Sequence, residues 1–529
     1  MAKVALVRVP NTFAAGAITL SAVPPVGLAY LAASLRKKNH DVTVVDSVGE
    51  AIEQTYYLGH KNLYANGMTV EQVLEAIPAD SKYIGVSFPF SHEWPLDRRV
   101  CEAIKDRFPH SVLICGGEHA TAMPEFCLRT CKAIDFVVRG EGEETLVDLV
   151  NCLEENGSPD RVAGIVLRNK DGETVFTHER SRLLAIDDIP QPAWDLIPLE
   201  TYLGGGYSFG VNIGRSMPLI ATRGCPYECT FCSSPFMWTT KWLARKPVKV
   251  IEEMEQYIRE YKAQNFDFYD LTAIVRKDWI VEFCHLLIDK KLNITWQLPS
   301  GTRSEALDHE VTGLLHESGC RNLSYSPESG SPETLKRIKK KIDPERILAS
   351  MRSSIANNIN IKANIIVGFP GEKLKNIYES YKFIFKMATI GVNDVGVWTF
   401  SAYPGSELFD DLVKEKRMPD FTDEYFASLL SYSDLRNVVS WDEHFSSWQL
   451  KYLRLFGLIL FYLVSYAARP GRLVENIRNI INHKTQSRLE MIVENALRRH
   501  RKKPVGQEKK VPSQKRVPQP GRESVRDIG

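Results

Sequence analysis

Two stretches of this 529-residue chain alternate short apolar runs with helix-length segments, and this alternation constrains the fold more than any other feature. In residues 1–150 the apolar runs have the length of β-strands. Strands that alternate with helices predict a parallel sheet covered by helices on both faces. The predicted strands are residues 3–9, 42–46, 83–88, 112–115 and 136–138. Ligands bind such sheets in the loops after the carboxyl ends of the strands.

The second alternation runs from residue 218 to about residue 403 and contains six predicted strand–helix units. Six such units predict an open or complete α/β barrel, whose chemistry is expected at the carboxyl ends of the strands. The predicted strands are residues 219–222, 265–271, 294–298, 322–327, 361–367 and 395–401. The chain is therefore divided into a front domain (1–150), a connector (151–217), a barrel (218–407), a helical domain (408–497) and a disordered basic tail (498–529).

Composition and charge narrow the possible partners. The net charge is +2, so no nucleic-acid partner is expected. The first residues lack the apolar core and cleavage site of a signal peptide, and a cytoplasmic location is expected. The tail holds eleven Lys or Arg against three Asp or Glu. A solvated tail is favoured over an RNA or lipid contact.

One apolar segment raises the question of a membrane. Residues 455–468 carry no charge and are flanked by Arg454 and Arg469. A membrane span needs about 20 residues, so this segment is predicted to be a core helix or a helix at a membrane surface. Contact with a membrane surface therefore stays open as an alternative to ordinary packing.

The ten cysteines fall into two groups. Seven are scattered among apolar neighbours and are predicted to be small core residues; they are Cys101, Cys115, Cys127, Cys131, Cys152, Cys284 and Cys320. The other three lie in residues 223–235, RGCPYECTFCSSP, with the spacing Cys-x3-Cys-x2-Cys.

These three cysteines, Cys225, Cys229 and Cys232, indicate an iron–sulfur cluster. Thiolates bind iron–sulfur clusters and zinc, but structural zinc sites usually use four ligands in separated pairs, and no second pair has that spacing. Three ligands leave one iron of a [4Fe–4S] cluster open to bind a substrate. The loop follows the first predicted barrel strand, at the catalytic edge of such barrels. Zinc or a plain electron-transfer cluster is the alternative.

The spacing of the cysteines, with Phe231 directly before the last of them, resembles the signature loop of radical S-adenosylmethionine (SAM) enzymes. The resemblance implies that SAM chelates the open iron. It also implies that one electron, from a donor such as flavodoxin or ferredoxin, splits SAM into methionine and a 5′-deoxyadenosyl radical. The protein then positions the cofactor and excludes water.

Other barrel segments are similar to the same family. Residues 326–330 resemble its Glu-Ser-Gly element, in which Glu328 would face SAM, although Glu328 could instead cap the next helix. In the fifth-strand segment, residues 364–372, Gly368 would let the adenine approach the backbone. Arg303 is a candidate polar contact to SAM or substrate. Many relatives carry Gly-Glu after the second strand, but this chain has Asp-Leu-Thr at 270–272, so the contact to the amino group of SAM is unassigned.

The chain resembles cobalamin-binding radical SAM proteins over about residues 1–470, and the front domain carries much of this resemblance. The resemblance depends on CGGEHATA (115–122), RGEGEET (139–145) and DDIPQPAWDLIP (187–198). It implies a Rossmann-like sheet that holds cobalamin against the SAM site. The candidate cofactor-binding residues lie at strand ends and are Ser87, Gly116, Gly117, Gly140 and Glu141.

One expected cobalamin motif is missing. The stretch Asp-x-His-x-x-Gly, which supplies an axial histidine in other cobalamin domains, does not occur. His119 is favoured as a loop or packing residue over a cobalt ligand.

The resemblance implies methyl transfer to an unactivated carbon of a small-molecule or lipid substrate. Radical-mediated oxidative cyclisation or rearrangement is the first alternative. A methylthiotransferase is disfavoured because the cysteines of the front domain form no compact ligand pattern. A non-catalytic iron–sulfur scaffold is disfavoured because all three cluster cysteines are intact.

Overall fold

A computed structural model describes residues 1–17, 22–59, 62–303, 307–482, 487, 489–491 and 493. The described chain has an α/β front domain, a second α/β unit and a carboxyl-terminal helical region. The predicted basic tail, residues 498–529, lies outside the described residues.

The front domain contains a seven-stranded sheet and a three-stranded sheet. Its strands are β1 (Lys3–Arg8), β2 (Asn11–Ala14), β3 (Asp41–Asp46), β4 (Thr55–Tyr57), β5 (Leu63–Asn66), β6 (Tyr83–Ser87), β7 (Val112–Gly116), β8 (Phe136–Val138), β9 (Ile165–Arg168) and β10 (Thr174–Phe176). The large sheet has the order β10-β9-β8-β7-β6-β1-β3, and its strands from β3 to β8 are parallel. The five predicted strands are thus confirmed.

The front sheet extends beyond residue 150, where the sequence placed the start of a connector. Strand β9 pairs antiparallel with β8, and β10 pairs antiparallel with β9. This hairpin satisfies the backbone groups of β8 that would otherwise form an open sheet edge. A small antiparallel sheet of β2, β5 and β4 was not predicted either.

The second unit contains an open parallel sheet of six strands, as the sequence predicts, and a two-stranded ribbon that was not predicted. Its strands are β11 (Ser216–Leu219), β12 (Thr222–Arg223), β13 (Leu243–Ala244), β14 (Asn265–Phe268), β15 (Thr295–Thr302), β16 (Cys320–Glu328), β17 (Asn360–Val367) and β18 (Asp394–Thr399). The first strand of the six-stranded sheet is Ser216–Leu219 and not the predicted residues 219–222, because the chain leaves the sheet at residue 220 to form the ribbon. The order β11-β14-β15-β16-β17-β18 leaves β11 and β18 at the two ends of a partial barrel. Strands β12 and β13 form a separate antiparallel ribbon that flanks the cysteines.

Helices connect these strands and form the carboxyl-terminal region. They are α1 (Val26–Lys37), α2 (Ser47–Glu50), α3 (Val70–Ala76), α4 (Trp94–Arg107), α5 (Glu118–Ala122), α6 (Pro124–Thr130), α7 (Gly142–Glu154), α8 (Leu199–Gly205), α9 (Ser234–Trp238), α10 (Pro247–Tyr261), α11 (Lys277–Lys290), α12 (His309–Glu317), α13 (Pro332–Arg337), α14 (Pro344–Ala356), α15 (Leu374–Ile390), α16 (Glu407–Lys414), α17 (Asp423–Ser428), α18 (Ser447–Ala468) and α19 (Pro470–Ile481). Short 3₁₀ helices lie at Ser91–Glu93, Pro159–Arg161, Ile186–Asp188, Trp194–Leu196 and Leu429–Tyr432.

Six of the seven scattered cysteines are buried, and Cys152 is half-buried. Cys101 and Cys115 have sulfur atoms 3.9 Å apart. The prediction that these cysteines are small core residues is confirmed for the six buried ones.

Helix α18 contains the apolar segment 455–468 and packs along α15 and β18 on the outside of the barrel. One face of α18 is buried, and the guanidinium of Arg454 lies within it. Arg454 donates to the backbone oxygens of Val397 (2.8 Å), Asp434 (3.1 Å) and Ser431 (3.3 Å). Burial lowers the pKa of Arg454 to about 10, which leaves it charged at neutral pH. These hydrogen bonds fix the helix to the barrel wall.

We therefore expect Arg454→Met to destabilise the barrel, because the substitution leaves three buried carbonyl groups without their donor. The loss is about 3 kcal/mol in free energy of unfolding, and the apparent Tm falls by roughly 5 °C or more. Differential scanning calorimetry measures this change, with Lys451→Met on the same helix as control. Equal melting of the two variants would contradict the structural role of Arg454.

Candidate functional site

The three cluster cysteines lie on one loop, residues 225–232, which we call the cysteine loop. It follows β12 and precedes α9, at the carboxyl end of β11. All three side chains are half-buried. Burial raises the pKa of Cys232 to about 12, so metal binding must displace a proton there. Three thiols on one partly enclosed loop suit a cluster with one open iron.

Gly224 determines how the chain enters the cysteine loop. Its φ is +83°, and a Cβ at this position would lie 2.2 Å from the backbone oxygen of Lys241. Only glycine combines this left-handed conformation with so close an approach of two backbone segments. The residue thus allows β12 and the segment before β13 to enclose the loop.

Asp270 and Thr272 hold the start of the cysteine loop from the end of β14. The Asp270 carboxylate accepts hydrogen bonds from the backbone N–H groups of Ala221 (3.2 Å) and Thr222. Burial raises the pKa of Asp270 to about 6. The Thr272 hydroxyl lies 3.4 Å from the sulfur of Cys225. The Asp-Leu-Thr departure from the family pattern therefore has a structural role in this chain.

Glu328 and Lys340 form a buried ion pair beside the cysteine loop, with Oε1 and Nζ 3.1 Å apart. Glu328 ends β16 with a φ of +65°, a left-handed conformation that is rare for a residue with a Cβ. Such strain concentrates at functional sites. Burial lowers the pKa of Lys340, but the nearby Glu328 and Cys229 raise it by more, so the net shift of the pKa is upward. Glu328 caps no helix, because the side chain of Ser331 caps α13.

Arg303 reaches the cysteine loop from the end of β15. Its guanidinium lies 3.6 Å from the ring centroid of Tyr227, within the loop. It also donates to the backbone oxygen of Lys341 at 2.5 Å. Arg303 thus braces both the loop and the segment that carries Lys340.

Phe231, within the cysteine loop, packs against the segment that carries Gly368. The Phe231 ring packs against Phe369, with centroids 5.5 Å apart. The backbone N–H of Gly368 donates to Glu372 at 2.7 Å, and burial raises the pKa of Glu372 to about 7. A Cβ at Gly368 would meet the side chain of Leu450 in α18 at 2.7 Å. The close approach at Gly368 is thus to α18, and its predicted contact with adenine stays a prediction.

The five candidate residues of the front domain line one open cavity of ≈190 Å³ at the carboxyl ends of β6, β7 and β8. These residues are Ser87, Gly116, Gly117, Gly140 and Glu141. Gly117 requires glycine, because its φ is +113° and a Cβ would lie 2.5 Å from the backbone oxygen of Phe88. Met237 and Trp238 of α9 complete the wall. The helix that follows the cysteine loop therefore bounds this cavity.

Glu141 joins the front domain to the cysteine loop. One carboxylate oxygen accepts from Arg223 at 3.1 Å, and the other accepts from Arg182 at 2.7 Å. Arg223 also pairs with Glu143 at 2.6 Å and precedes Cys225 by two residues. Both oxygens of Glu141 are thus engaged by arginines, which indicates a structural role in addition to its place in the cavity wall.

His119 is a packing residue in the described structure. It is buried against the rings of Trp94 and Phe426, and its Nδ1 lies 3.0 Å from the Ser91 hydroxyl. Burial lowers its pKa to about 3. It does not line the cavity described above.

Sequence reasoning missed several residues of the site, among them Lys340, Arg223 and Trp238. Lys340 lies in a run of three lysines, which is typical of a solvated surface. Arg223 stands beside the cysteine motif, which could have drawn attention to it. No sequence signal places Trp238 in the front cavity.

Comparison with known proteins agrees with this arrangement. Residues 219–384 match the model of the radical SAM superfamily, and residues 16–150 match that of the B12 binding domain. An uncharacterized methyltransferase of Pyrococcus horikoshii is 27% identical over 90% of this chain and 94% of its own. An anaerobic magnesium-protoporphyrin IX monomethyl ester cyclase of Rubrivivax gelatinosus is 26% identical over 80% and 73%. The methyltransferase TsrM of Kitasatospora setae, solved with cobalamin and a [4Fe–4S] cluster bound, has a TM-score of 0.61 at 16% identity, covering 78% of each chain.

Fold and site together define a radical SAM enzyme. More narrowly, the chain belongs to the cobalamin-dependent radical SAM family, with a B12-binding domain in front of the catalytic barrel. Its cofactors are a [4Fe–4S] cluster, SAM and cobalamin. The residues assigned to each cofactor remain predictions that the following variants test.

Cys229→Ala is expected to abolish cluster binding, because two thiolates do not retain a cluster that needs three. Iron and sulfide content after anaerobic reconstitution, the EPR signal after dithionite and SAM cleavage should all fall to background. Cys152→Ala removes a cysteine of the front domain and should leave all three readouts intact. Retention of SAM cleavage by Cys229→Ala would refute the assignment of the cluster.

Lys340→Gln is expected to weaken SAM binding about tenfold while leaving the iron content unchanged, because Glu328 loses its buried partner. Anaerobic calorimetric titration with SAM measures the effect. Lys341 is the exposed neighbour of Lys340, and Lys341→Gln is the matched control. Unchanged SAM affinity in Lys340→Gln would show that the ion pair does not contribute to SAM binding.

Proposed function

We propose that this enzyme transfers a methyl group to an unactivated carbon of its substrate. The observation that carries the proposal is that the cysteine loop lies beside the front cavity. Helix α9 follows Cys232 directly and forms a wall of the glycine-lined cavity of the front domain. A methyl carrier in that cavity therefore lies next to the centre that generates the radical.

The residues of the front cavity suit a large cofactor. Glycines at strand ends widen the cavity, and its remaining walls are mainly apolar. Its position at the carboxyl edge of a parallel sheet is where such sheets bind ligands. When bound, the cluster and SAM supply a 5′-deoxyadenosyl radical that abstracts hydrogen, and the cobalamin supplies the methyl group.

The chain's own residues keep the two sites in place and exclude water. Arg303 and Lys340 hold the cysteine loop and Glu328. The Glu141–Arg223 pair fixes the front domain against the loop. Such fixed geometry protects a reactive radical from solvent and orients it.

The inside of the barrel provides a polar site for the substrate. The Asn364 amide donates toward the hydroxyls of Ser324 (3.2 Å) and Ser326 (3.3 Å), and it accepts from the Trp398 indole at 3.0 Å. The ammonium of Lys362 lies 5.4 Å from the Trp398 ring centroid. These groups favour a small molecule, or a lipid head group, that carries polar or anionic atoms.

Electron supply and location complete the proposal. The enzyme needs a one-electron reductant, and we propose a donor of the flavodoxin or ferredoxin type. A cytoplasmic location stays a prediction.

Oxidative cyclisation is the second candidate function, favoured by the similarity to the magnesium-protoporphyrin ester cyclase, which extends over 80% of this chain. In that case the same radical would start ring closure, and no methyl group would reach the product.

SAM with an isotopically labelled methyl group distinguishes the two functions. With reconstituted enzyme, reductant and substrate, methyl transfer puts the label into the product. Mass spectrometry of the product measures it, with enzyme prepared without cobalamin as control. Turnover with unlabelled product would exclude methyl transfer.

Gly27→Trp is expected to lower cobalamin binding at least tenfold. Gly27 lines the front cavity, and a Cβ there would meet no atom within 4 Å, so a side chain can start at this position and place an indole in the cavity. Corrinoid absorbance after reconstitution gives the measurement, and the iron content should not change. Gly471→Trp, also at an open position, is the control. Full cobalamin loading of Gly27→Trp would place the cofactor elsewhere.

A further inference from the structure

The outer face of α18 is strongly apolar and exposed. Its exposed side chains include Trp448 and Leu463, each 67% exposed. At 100° per residue, the whole exposed set falls within about 100° of the helix circumference. This set is Trp448, Tyr452, Leu455, Phe456, Ile459 and Leu463.

Two neighbouring helices extend this apolar face. On α15, Leu374, Tyr378 and Phe385 are exposed, and the ring of Tyr381 contacts Phe456 with centroids 5.1 Å apart. On α19 the exposed set is Leu473, Val474, Ile477 and Ile481. These three helices carry thirteen of the twenty-four large exposed apolar side chains of the described residues. We call this surface the α15–α18–α19 face. Apolar patches of this extent mark interaction sites.

The polar contacts of α18 determine how a membrane could meet this face. By its length and composition alone, helix α18 could cross a membrane. However, its other face is buried on the barrel through Arg454 and through Gly457, which packs at Tyr381 and Val397. Spanning a bilayer would break these contacts. The helix is therefore placed to lie parallel to a surface.

The charges around the face have one predominant sign. Apart from the buried Arg454, helices α15 and α18, Arg469 and α19 together hold seven Lys or Arg and two Glu, and α18 itself holds no acidic residue. Lys375, Lys382 and Arg478 are exposed beside the apolar stripes. The sequence that follows, from residue 498, adds eleven Lys or Arg against three acidic residues. Basic residues around an apolar stripe are the pattern of helices that bind anionic lipid.

We propose that the α15–α18–α19 face docks this enzyme onto an anionic membrane surface. The apolar side chains insert at the level of the acyl boundary, with Trp448 and Tyr452 at the interface, where such rings are enriched. The exposed basic residues Lys375, Lys382 and Arg478 bind the lipid head groups. This docking does not depend on the reaction that the enzyme performs, and it can be tested without turnover.

The alternative partner for this face is a second copy of this chain. Two copies that met through this face would bring two sets of basic residues together, which opposes association. The excess of positive charge therefore favours an anionic bilayer over a self-complementary dimer.

Flotation of the full-length protein with vesicles tests the proposal. Vesicles of phosphatidylcholine with 30% phosphatidylglycerol should bind the protein, and pure phosphatidylcholine vesicles should bind it at least tenfold less. Raising the salt concentration from 0.05 to 0.5 M should weaken binding, because it screens the head-group contacts.

Two sets of variants separate the contributions. Trp448→Gln with Leu463→Gln should lower vesicle binding at least tenfold, whereas Leu184→Gln with Val413→Gln, two exposed apolar positions elsewhere, should leave it unchanged. Replacing Lys375, Lys382 and Arg478 by Gln should reduce binding to anionic vesicles only. Circular dichroism and iron content show that each variant is folded.

Three results would overturn the proposal. The first is a wild-type protein that does not float with anionic vesicles. The second is equal binding by Trp448→Gln with Leu463→Gln and by its control. The third is a stable dimer in solution that the same double variant converts to a monomer, which would assign the face to a second copy.

Discussion

Buried ion pairs of Glu141 with Arg182 and Arg223 determine how the two halves of the catalytic site meet. The carboxylate lies at the carboxyl edge of the front sheet, and Arg223 belongs to the short ribbon that leads into the cysteine loop. Removal of one partner from a buried pair costs about 3–5 kcal/mol, because the remaining charge stays desolvated. This contact therefore ties the front domain to the segment that leads into the cysteine loop.

The front sheet and the barrel sheet also meet at their carboxyl edges. Parallel strands collect the loops after their carboxyl ends at one edge of each sheet. In this chain the two edges face each other, since residues of α9 reach the front cavity. Inside the barrel, Asn364 contacts Ser324 and Ser326 on the neighbouring strand β16. The front cavity and the cysteine loop are linked through α9.

Regular apolar runs made most of both large sheets predictable from the sequence, and the spacing of Cys225, Cys229 and Cys232 made the cluster predictable. Strands β9 and β10 were missed because runs of only three or four residues leave no clear periodicity. Lys340 was missed because its burial depends on Glu328 and on the fold around both. Contacts such as Gly368 with Leu450, eighty-two positions apart, follow only from the tertiary packing.

The short distance in sequence between the cysteine loop and α9 couples two parts of the molecule mechanically. Helix α9 begins two residues after Cys232, and it forms one wall of the front cavity. Only Ser233 separates Cys232 from this helix, so little slack exists between them. A substitution that displaces the loop therefore alters the shape of the front cavity, although it changes no residue of the front domain.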